Sequence, residues 1–172
     1  MEAQEIVNRV ATSGLISFDL EQIYPEGERV LLDIKDQLYQ GMILREKDFR
    51  DYVKNNDWSQ YSGKNVAVTC SEDAIIPTWA YMLLAIKLQP FARFVCFGSL
   101  QELENALWQQ TLATLDISQY ENQRVVIKGC SNKEVPVFAY TELTRLLRPI
   151  VQNIMFGEPC STVPLYKKQK EI

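Results

Sequence analysis

The residues best suited to chemistry in this sequence are its four cysteines, because the 172-residue chain contains no histidine. Without an imidazole, Ser-His and Cys-His dyads, His-ligated zinc and histidine acid–base catalysis are all excluded. The cysteines are Cys70, Cys96, Cys130 and Cys160, and no two of them form a CxxC motif of the zinc or redox type. Any shared thiol site must therefore be assembled by the fold.

Two of these cysteines lie in segments that resemble each other. Segments 70–81 and 130–140 each begin with Cys-Ser at a predicted strand end, pass through a polar loop to Pro, and open a helix with aromatic-Ala-Tyr. A weaker third copy spans 160–166. The candidate site comprises Cys70, Cys130 and Cys160 as metal ligands, with Ser71, Asp73, Ser131, Tyr81 and Tyr140 beside them.

Thiolates at such a site would favour a soft metal ion, either zinc or an iron–sulfur species, because sulfur is a soft ligand. Three cysteines without histidine need a fourth ligand, for which Glu72 and Asp73 are close enough in sequence. A straight helix would place Cys160 far from the other two cysteines. A kink at Pro149 or a second subunit could supply it instead.

A purely structural interpretation competes with this one, because unpaired cysteine is among the most buried residue types. Cys96 lies between two apolar residues of a predicted strand and is expected in the core. Tyr81 and Tyr140, at the starts of helices, are expected to pack there, although either hydroxyl could line a site. The acids before the first of these helices are commonly favoured by the helix dipole alone.

The elements that position these residues alternate regularly along the chain. Strands are predicted over 65–70, 93–97 and 124–129, and helices over 78–88, 99–115 and from 138, the second helix starting with a Ser99–Glu102 capping box. Pro149 breaks the last helix, a further helical turn covers 150–156, and Gly157 closes it. This order predicts an α/β fold, a three-layer sandwich with a mostly parallel sheet built on a βαβαβα core over 65–156.

The whole chain, 1–172, is predicted to be a single domain. It divides into an N-terminal α+β extension over 1–63, an α/β core over 64–157 and a C-terminal tail over 158–172. The extension contains a strand over 29–34, a helix over 35–52 and a polar loop over 55–63. If the strand order is 2-1-3, the strands before Cys70 and Cys130 are neighbours about 4.8 Å apart, with both cysteines on the ligand-binding carboxyl edge.

Charge and hydropathy set the remaining limits. Eighteen basic and 22 acidic residues give a net charge of −4, which argues against nucleic-acid binding. No apolar run reaches the roughly 18 residues of a membrane helix, and the N-terminus has no secretory signal pattern. We therefore expect a cytoplasmic protein without a membrane partner.

The chain resembles an uncharacterised bacterial family of unknown function across essentially its whole length. The matching segments are Glu5-Ile-Val-Asn-Arg-Val10, Phe18-Asp-Leu20, Tyr24-Pro-Glu-Gly-Glu28, Phe49-Arg50, Asp57-Trp-Ser-Gln-Tyr61, Asp73-Ala-Ile-Ile-Pro-Thr-Trp-Ala-Tyr81, Lys128-Gly-Cys-Ser131 and Cys160-Ser-Thr-Val-Pro-Leu-Tyr-Lys-Lys168. The last segment is the most specific. The resemblance implies no established activity, but it implies an association with iron–sulfur cluster assembly proteins.

Three hypotheses follow for the function. The first is a cysteine-based site that is accessory to metal or iron–sulfur cluster handling. The second is a non-catalytic interaction module, expected as a homodimer because the Asp57–Tyr61 loop and the tail are rich in aromatic residues. The third is a protein that binds a small anion at the helix N-termini opened by Pro77 and Pro136.

Overall fold

The fold was analysed in a computed structural model, in which residues 14–129, 132–158 and 161–169 are described. The described residues contain four α-helices and seven β-strands. In chain order these are β1 (Leu15–Phe18), β2 (Arg29–Asp33), α1 (Glu46–Asn55), β3 (Asn65–Thr69), α2 (Thr78–Leu88), β4 (Phe94–Phe97), α3 (Leu100–Ala113), β5 (Arg124–Ile127), α4 (Val137–Leu147), β6 (Asn153–Glu158) and β7 (Ser161–Lys167).

The strands form two separate sheets, and the chain divides into two compact units that each contain one sheet. The central unit, Pro25–Leu107, contains the parallel sheet β2-β3-β4. The terminal unit contains the described residues from both chain ends, 14–24 and 108–169, and the sheet β1-β5-β6-β7. In the latter sheet only the β6–β7 pair is antiparallel.

The central unit has helices on both faces of its sheet. Val66 and Val68 of β3 face a core formed with α1 and α2, whereas Ala67 between them faces Leu103 and Leu107 of α3. Successive side chains of a strand point to opposite faces, so β3 is buried on both sides. This arrangement matches the predicted three layers.

The terminal unit is built on a core between its sheet and two helical segments. Val125 and Ile127 of β5 and Ile154 of β6 are fully buried against α4 and the end of α3. On α4 the buried residues recur at helical spacing, at Ala139, Leu143 and Leu147.

Much of the predicted α/β order is confirmed. Helix α2 has the predicted bounds, and β2, β3, β4, β5, α3 and α4 lie where the pattern placed them, within a few residues. The capping box is also present: the Ser99 backbone N–H donates to Glu102 Oε2 at 2.7 Å, and the Glu102 N–H donates to Ser99 Oγ at 3.2 Å. The α/β class is therefore confirmed, while the single domain over 1–172 stays a prediction.

The expected single sheet over 65–156 is wrong. Strands β3 and β5, which precede Cys70 and Cys130, belong to different sheets, so they are not neighbours 2-1-3 in one sheet. The reason is that each finds its parallel partner in the first 33 residues: β2 pairs with β3, and β1 pairs with β5. The N-terminal segment is thus an integral part of both sheets.

Three local predictions are also wrong. The helix expected over 35–52 begins only at Glu46, after a short 3₁₀ helix over Lys35–Gln37. Residues 150–156, expected as a helical turn, enter strand β6, whose Ile154 is fully buried between neighbouring strands. The segment expected as a tail contains β7, which pairs with β6 through backbone hydrogen bonds. For 150–156, burial in a sheet decided the structure over the local helical pattern.

The polar loop expected over 55–63 contains a 3₁₀ helix at Trp58–Tyr61, whose two aromatic residues are buried. The Trp58 indole N–H donates to the Val53 carbonyl at 2.9 Å. These aromatic side chains therefore belong to the core of the central unit and are not available to a partner.

The two units share an internal repeat in which residues 46–98 correspond to 105–157 without a gap. Matching backbone hydrogen bonds support this alignment: Gly63 donates to Phe91 as Asn122 donates to Ile150, at 3.0 and 2.8 Å. Gly63 and Asn122 also share a positive φ, 71° and 55°. Thirteen positions are identical, namely Asp57/Asp116, Ser59/Ser118, Gln60/Gln119, Tyr61/Tyr120, Val66/Val125, Pro77/Pro136, Ala80/Ala139, Tyr81/Tyr140, Leu84/Leu143, Leu88/Leu147, Pro90/Pro149, Phe97/Phe156 and Gly98/Gly157.

Candidate functional site

Each unit carries an aspartate at the carboxyl edge of its parallel strands, where open α/β sheets bind ligands. Asp33 is the last residue of β2, and Asp19 directly follows β1. They are equivalent residues. Val68 corresponds to Ile127 in the repeat, and their strand partners, Leu32 and Phe18, directly precede Asp33 and Asp19. Each accepts a hydrogen bond from the backbone N–H two residues later, and Asp19 thereby caps the 3₁₀ helix over Leu20–Ile23.

At the central edge, Asp33 ties together the loops that follow β2 and β3. Its Oδ1 accepts hydrogen bonds from the backbone N–H groups of Lys35 at 3.0 Å and Ser71 at 3.1 Å. Burial opposes its ionisation, but the Ser71 hydroxyl, these two N–H groups and the Lys35 charge outweigh burial and lower the pKa of Asp33. The carboxylate is thus held in its charged form.

The same end of the central sheet also carries a thiol and two aromatic rings. Cys70 is a half-buried free thiol whose Sγ is 3.8 Å from the Glu72 carbonyl oxygen. Burial, and then the charges of Cys70 and Asp33, raise the pKa of Tyr81, so its phenol stays protonated. The Tyr81 ring packs edge-on against Phe97 with ring centroids 4.9 Å apart. Tyr81 therefore packs at its helix start, as predicted.

At the terminal edge the equivalent aspartate is neutralised by a lysine of the chain itself. Lys128 Nζ lies 3.0 Å from Asp19 Oδ2 and donates a hydrogen bond to it, which raises the pKa of Lys128. Tyr140 packs edge-on against Phe156 with ring centroids 5.7 Å apart, repeating the pair of the central edge. The two edges thus share an aspartate and an aromatic pair but differ in the cation.

The repeat changes how the two Cys-Ser segments correspond. Seven residues separate both Thr69 from Pro77 and Lys128 from Pro136, so Cys70 corresponds to Gly129 and Ser71 corresponds to Cys130. The cysteines were aligned with each other in the sequence interpretation, and this alignment is wrong by one residue. The strands before these segments and the prolines before α2 and α4 correspond at the same spacing of 59 residues. Aligning the two cysteines would shift β3 against β5 by one residue and exchange their buried and exposed side chains.

The other predicted site residues fall into two groups. Cys130, Ser131 and Cys160 lie outside the described residues. Asp73 is described and is exposed on the loop before α2. Among the residues that the structure describes, no three Cys, Asp or Glu side chains are grouped so that they could hold a metal ion. The predicted cysteine site thus stays a prediction.

Cys96, which the sequence predicts in the core, is partly buried and packs against the core. It contacts the cluster of Ala67, Leu103 and Leu107 between β4 and α3. Burial, followed by the charge of Glu102, raises the pKa of its thiol, so Cys96 stays protonated. A protonated, packed thiol is a poor metal ligand or nucleophile.

The sequence interpretation missed an exposed apolar surface on the central unit. We define the α2 surface as Ile43, Ile75, Met82, Ala85 and Ile86; an isolated β-bridge pairs Ile43 with Ile75 just before the helix. Ile75 is 88% exposed, Met82 61% and Ile86 66%. One signal was available in the sequence: α2 carries a single charged residue, Lys87, and is apolar on every side.

The corresponding side chains of the terminal unit are polar. Ile75 corresponds to Glu134, Met82 to Thr141 and Ile86 to Arg145. Arg145 forms an ion pair with Glu142 on the exposed side of α4. The same positions of one repeated fold are therefore adapted to water in one unit and left apolar in the other.

None of the described helices has both the length and the apolar composition needed to cross a membrane. A model of a protein family described as being of unknown function, DUF2480, matches residues 4–168. No curated protein and no solved structure matches the chain.

Proposed function

We propose that this chain, which belongs to the DUF2480 family of proteins of unknown function, is a non-catalytic interaction module. It pairs with a second copy of itself through the α2 surface. The observation that carries this proposal is the contrast between the repeats. Exposed positions that hold Ile75, Met82 and Ile86 in the central unit hold polar side chains in the terminal unit. Since both helices have the same place in the fold, folding does not require the apolar side chains.

A second copy is the occupant that the chemistry of the α2 surface favours. No residue of the surface carries a charge, so two copies can meet there without burying an unpaired ion. Ala85 lies between Met82 and Ile86 and is small enough to let two antiparallel helices approach closely. A two-fold interface uses the same patch on both subunits, and this patch is compatible with itself.

The exposed area supports an interface of stable size. A specific interface buries about 800 Å² per partner, of which somewhat more than half is apolar. Ile43, Ile75, Met82 and Ile86, with the neighbouring Tyr39 and Met42, expose roughly 400 Å² if a fully exposed apolar side chain presents about 100 Å². This area is close to the apolar share that a stable dimer needs.

Sedimentation velocity on the full chain at micromolar concentrations tests the proposal. We expect the wild-type protein to sediment as a dimer of its 19.9 kDa chain. The double variant Met82→Thr, Ile86→Arg introduces the residues found at the matching positions of α4. It should fold normally but weaken dimerisation by about 100-fold or more, because it removes central apolar contacts and buries a charge.

The matched control is Thr141→Ala, Arg145→Ala on α4, which should leave the dimer unchanged. A monomeric wild-type protein at 100 µM would overturn the proposal. So would a dimer that the α2 variant leaves intact, because another surface would then hold the two copies together. Circular dichroism on each variant shows whether a loss of dimer reflects unfolding.

The cysteine hypothesis, accessory to metal or iron–sulfur cluster handling, remains a second proposal. It is supported by the adjacency of β5 and β6, because these strands precede Cys130 and Cys160 in the chain. The ligands must include residues beyond the described part, since that part offers no suitable group. Metal analysis after anaerobic purification should then find zinc or iron that Cys130→Ser or Cys160→Ser removes. A metal-free wild-type protein would contradict it.

The free thiols of Cys70 and Cys96 support a reducing compartment, and hence the cytoplasm, as the place where the module acts. The net charge of −4 supports a protein partner over a nucleic acid.

A further inference from the structure

We propose that the carboxyl edge of the central unit is a binding site for a primary ammonium group, with Asp33 as its counter-ion. The inference does not depend on dimerisation. It rests on the comparison of Asp33 with Asp19, which are equivalent residues of two repeated units.

The terminal unit already contains the proposed interaction within its own chain. There the ammonium of Lys128 donates to Asp19 Oδ2 at 3.0 Å. Lys128 follows Ile127, the partner of Phe18, so its ammonium approaches the aspartate from the adjacent strand. This geometry shows that an ammonium group fits against the edge carboxylate of this fold.

The central unit has the carboxylate but a different residue on the adjacent strand. Thr69 is the direct partner of Asp33 and corresponds to Lys128, and its hydroxyl carries no charge. The two backbone N–H groups both bond to Oδ1 of Asp33. Among the described residues, the nearest cation to Oδ2 is Lys35 Nζ at 4.0 Å, beyond hydrogen-bond distance, on a side chain that is 46% exposed. The Ser71 hydroxyl is a third donor to this carboxylate. Because the two oxygens of a carboxylate together offer about four acceptor positions, Asp33 can still accept a hydrogen bond from an external donor.

The Asp33 carboxylate also interacts electrostatically with a residue of α2. Burial, and then the charges of Cys70 and Asp33, raise the pKa of Tyr81. Cys70 and Ser71 complete the group, and no other described lysine or arginine forms an ion pair with Asp33. The Asp33 carboxylate can therefore accept a charge-assisted hydrogen bond from an organic cation.

The ammonium could come from a small amine or from a lysine side chain of a partner protein. Two probes distinguish these sources: n-butylammonium, and the peptide Gly-Lys-Gly with both ends blocked. The readout is the ¹H–¹⁵N correlation spectrum of the full chain, followed at the backbone amides of Lys35 and Ser71, which donate to Asp33.

We expect saturable shifts of both amides with at least one probe. Tighter binding of n-butylammonium assigns the site to small amines, and tighter binding of the peptide assigns it to lysine. Asp33→Asn should weaken binding at least about tenfold, as expected for losing a charge-assisted hydrogen bond. Thr69→Lys should do the same while keeping Asp33, because it supplies the internal ammonium seen in the terminal unit.

Asp19→Asn is the matched control in the terminal unit and should leave probe binding unchanged. The proposal is overturned if neither probe gives saturable shifts up to 100 mM. It is equally overturned if Asp33→Asn and Thr69→Lys bind the probes as wild type does. Dimer formation is measured separately, so its failure would not affect this result.

Discussion

The ring of Phe156 lies directly over Gly129, so that a Cβ at Gly129 would sit 2.7 Å from the ring. In the central unit the corresponding position holds Cys70, and there the matching ring of Phe97 is 66% exposed, against 37% for Phe156. The glycine at position 129 thus leaves room for the aromatic ring to close over the strand end.

We expect Gly129→Cys to destabilise the protein by about 1–3 kcal/mol, because the new side chain would overlap the Phe156 ring. Urea unfolding, followed by circular dichroism, measures this change. Cys70→Ala keeps a Cβ at the central position and should change stability by less than about 1 kcal/mol. Equal stability of Gly129→Cys and wild type would show that the ring moves aside without cost.

Ile154→Ala should lower the free energy of unfolding by about 2–5 kcal/mol, because Ile154 is fully buried in an inner strand. The neighbouring strand offers a control, since Val163 is exposed and Val163→Ala should change stability by less than about 0.5 kcal/mol. Thermal unfolding of both variants makes the comparison. Similar small effects would contradict the assignment of β6 as a buried strand.

The charge of Asp33 should stabilise the fold in a pH-dependent way. Its pKa in the folded protein lies below the ordinary value of 3.8, so its contribution is complete above that value and is lost as pH falls through the folded pKa. Asp33→Asn keeps an acceptor oxygen but removes the charge. Wild type should therefore be more stable than this variant at pH 6, by less than about 1 kcal/mol for such a partly exposed group.

The difference between wild type and Asp33→Asn should be smaller at pH 2 than at pH 6, because the pH then approaches the lowered pKa of Asp33. Urea midpoints at both pH values provide the measurement. A difference that persists unchanged at pH 2 would mean that the amide disturbs the loops for reasons unrelated to charge.

Local elements were predictable where one pattern dominated. The apolar run at 65–69 and the proline before Thr78 define β3 and α2 because burial and helix-start chemistry agree there. Strand β6 was missed because residues 150–156 were predicted as a further helical turn after Pro149, and nothing local reveals that Ile154 inserts between two strands. The repeat was detected only over 70–81 and 130–140, and its cysteines were matched one residue out of register.

By itself, the sequence determined the α/β class and excluded histidine chemistry. It also determined the approximate positions of β3, α2, β4, β5 and α4. These depend on short-range spacing and composition. The tertiary structure alone decided that the chain forms two sheets, because β1 and β2 pair with strands far away in sequence. It also decided that Cys70 matches Gly129 and that Asp33 lacks the lysine that neutralises Asp19, since these relationships are set by strand register.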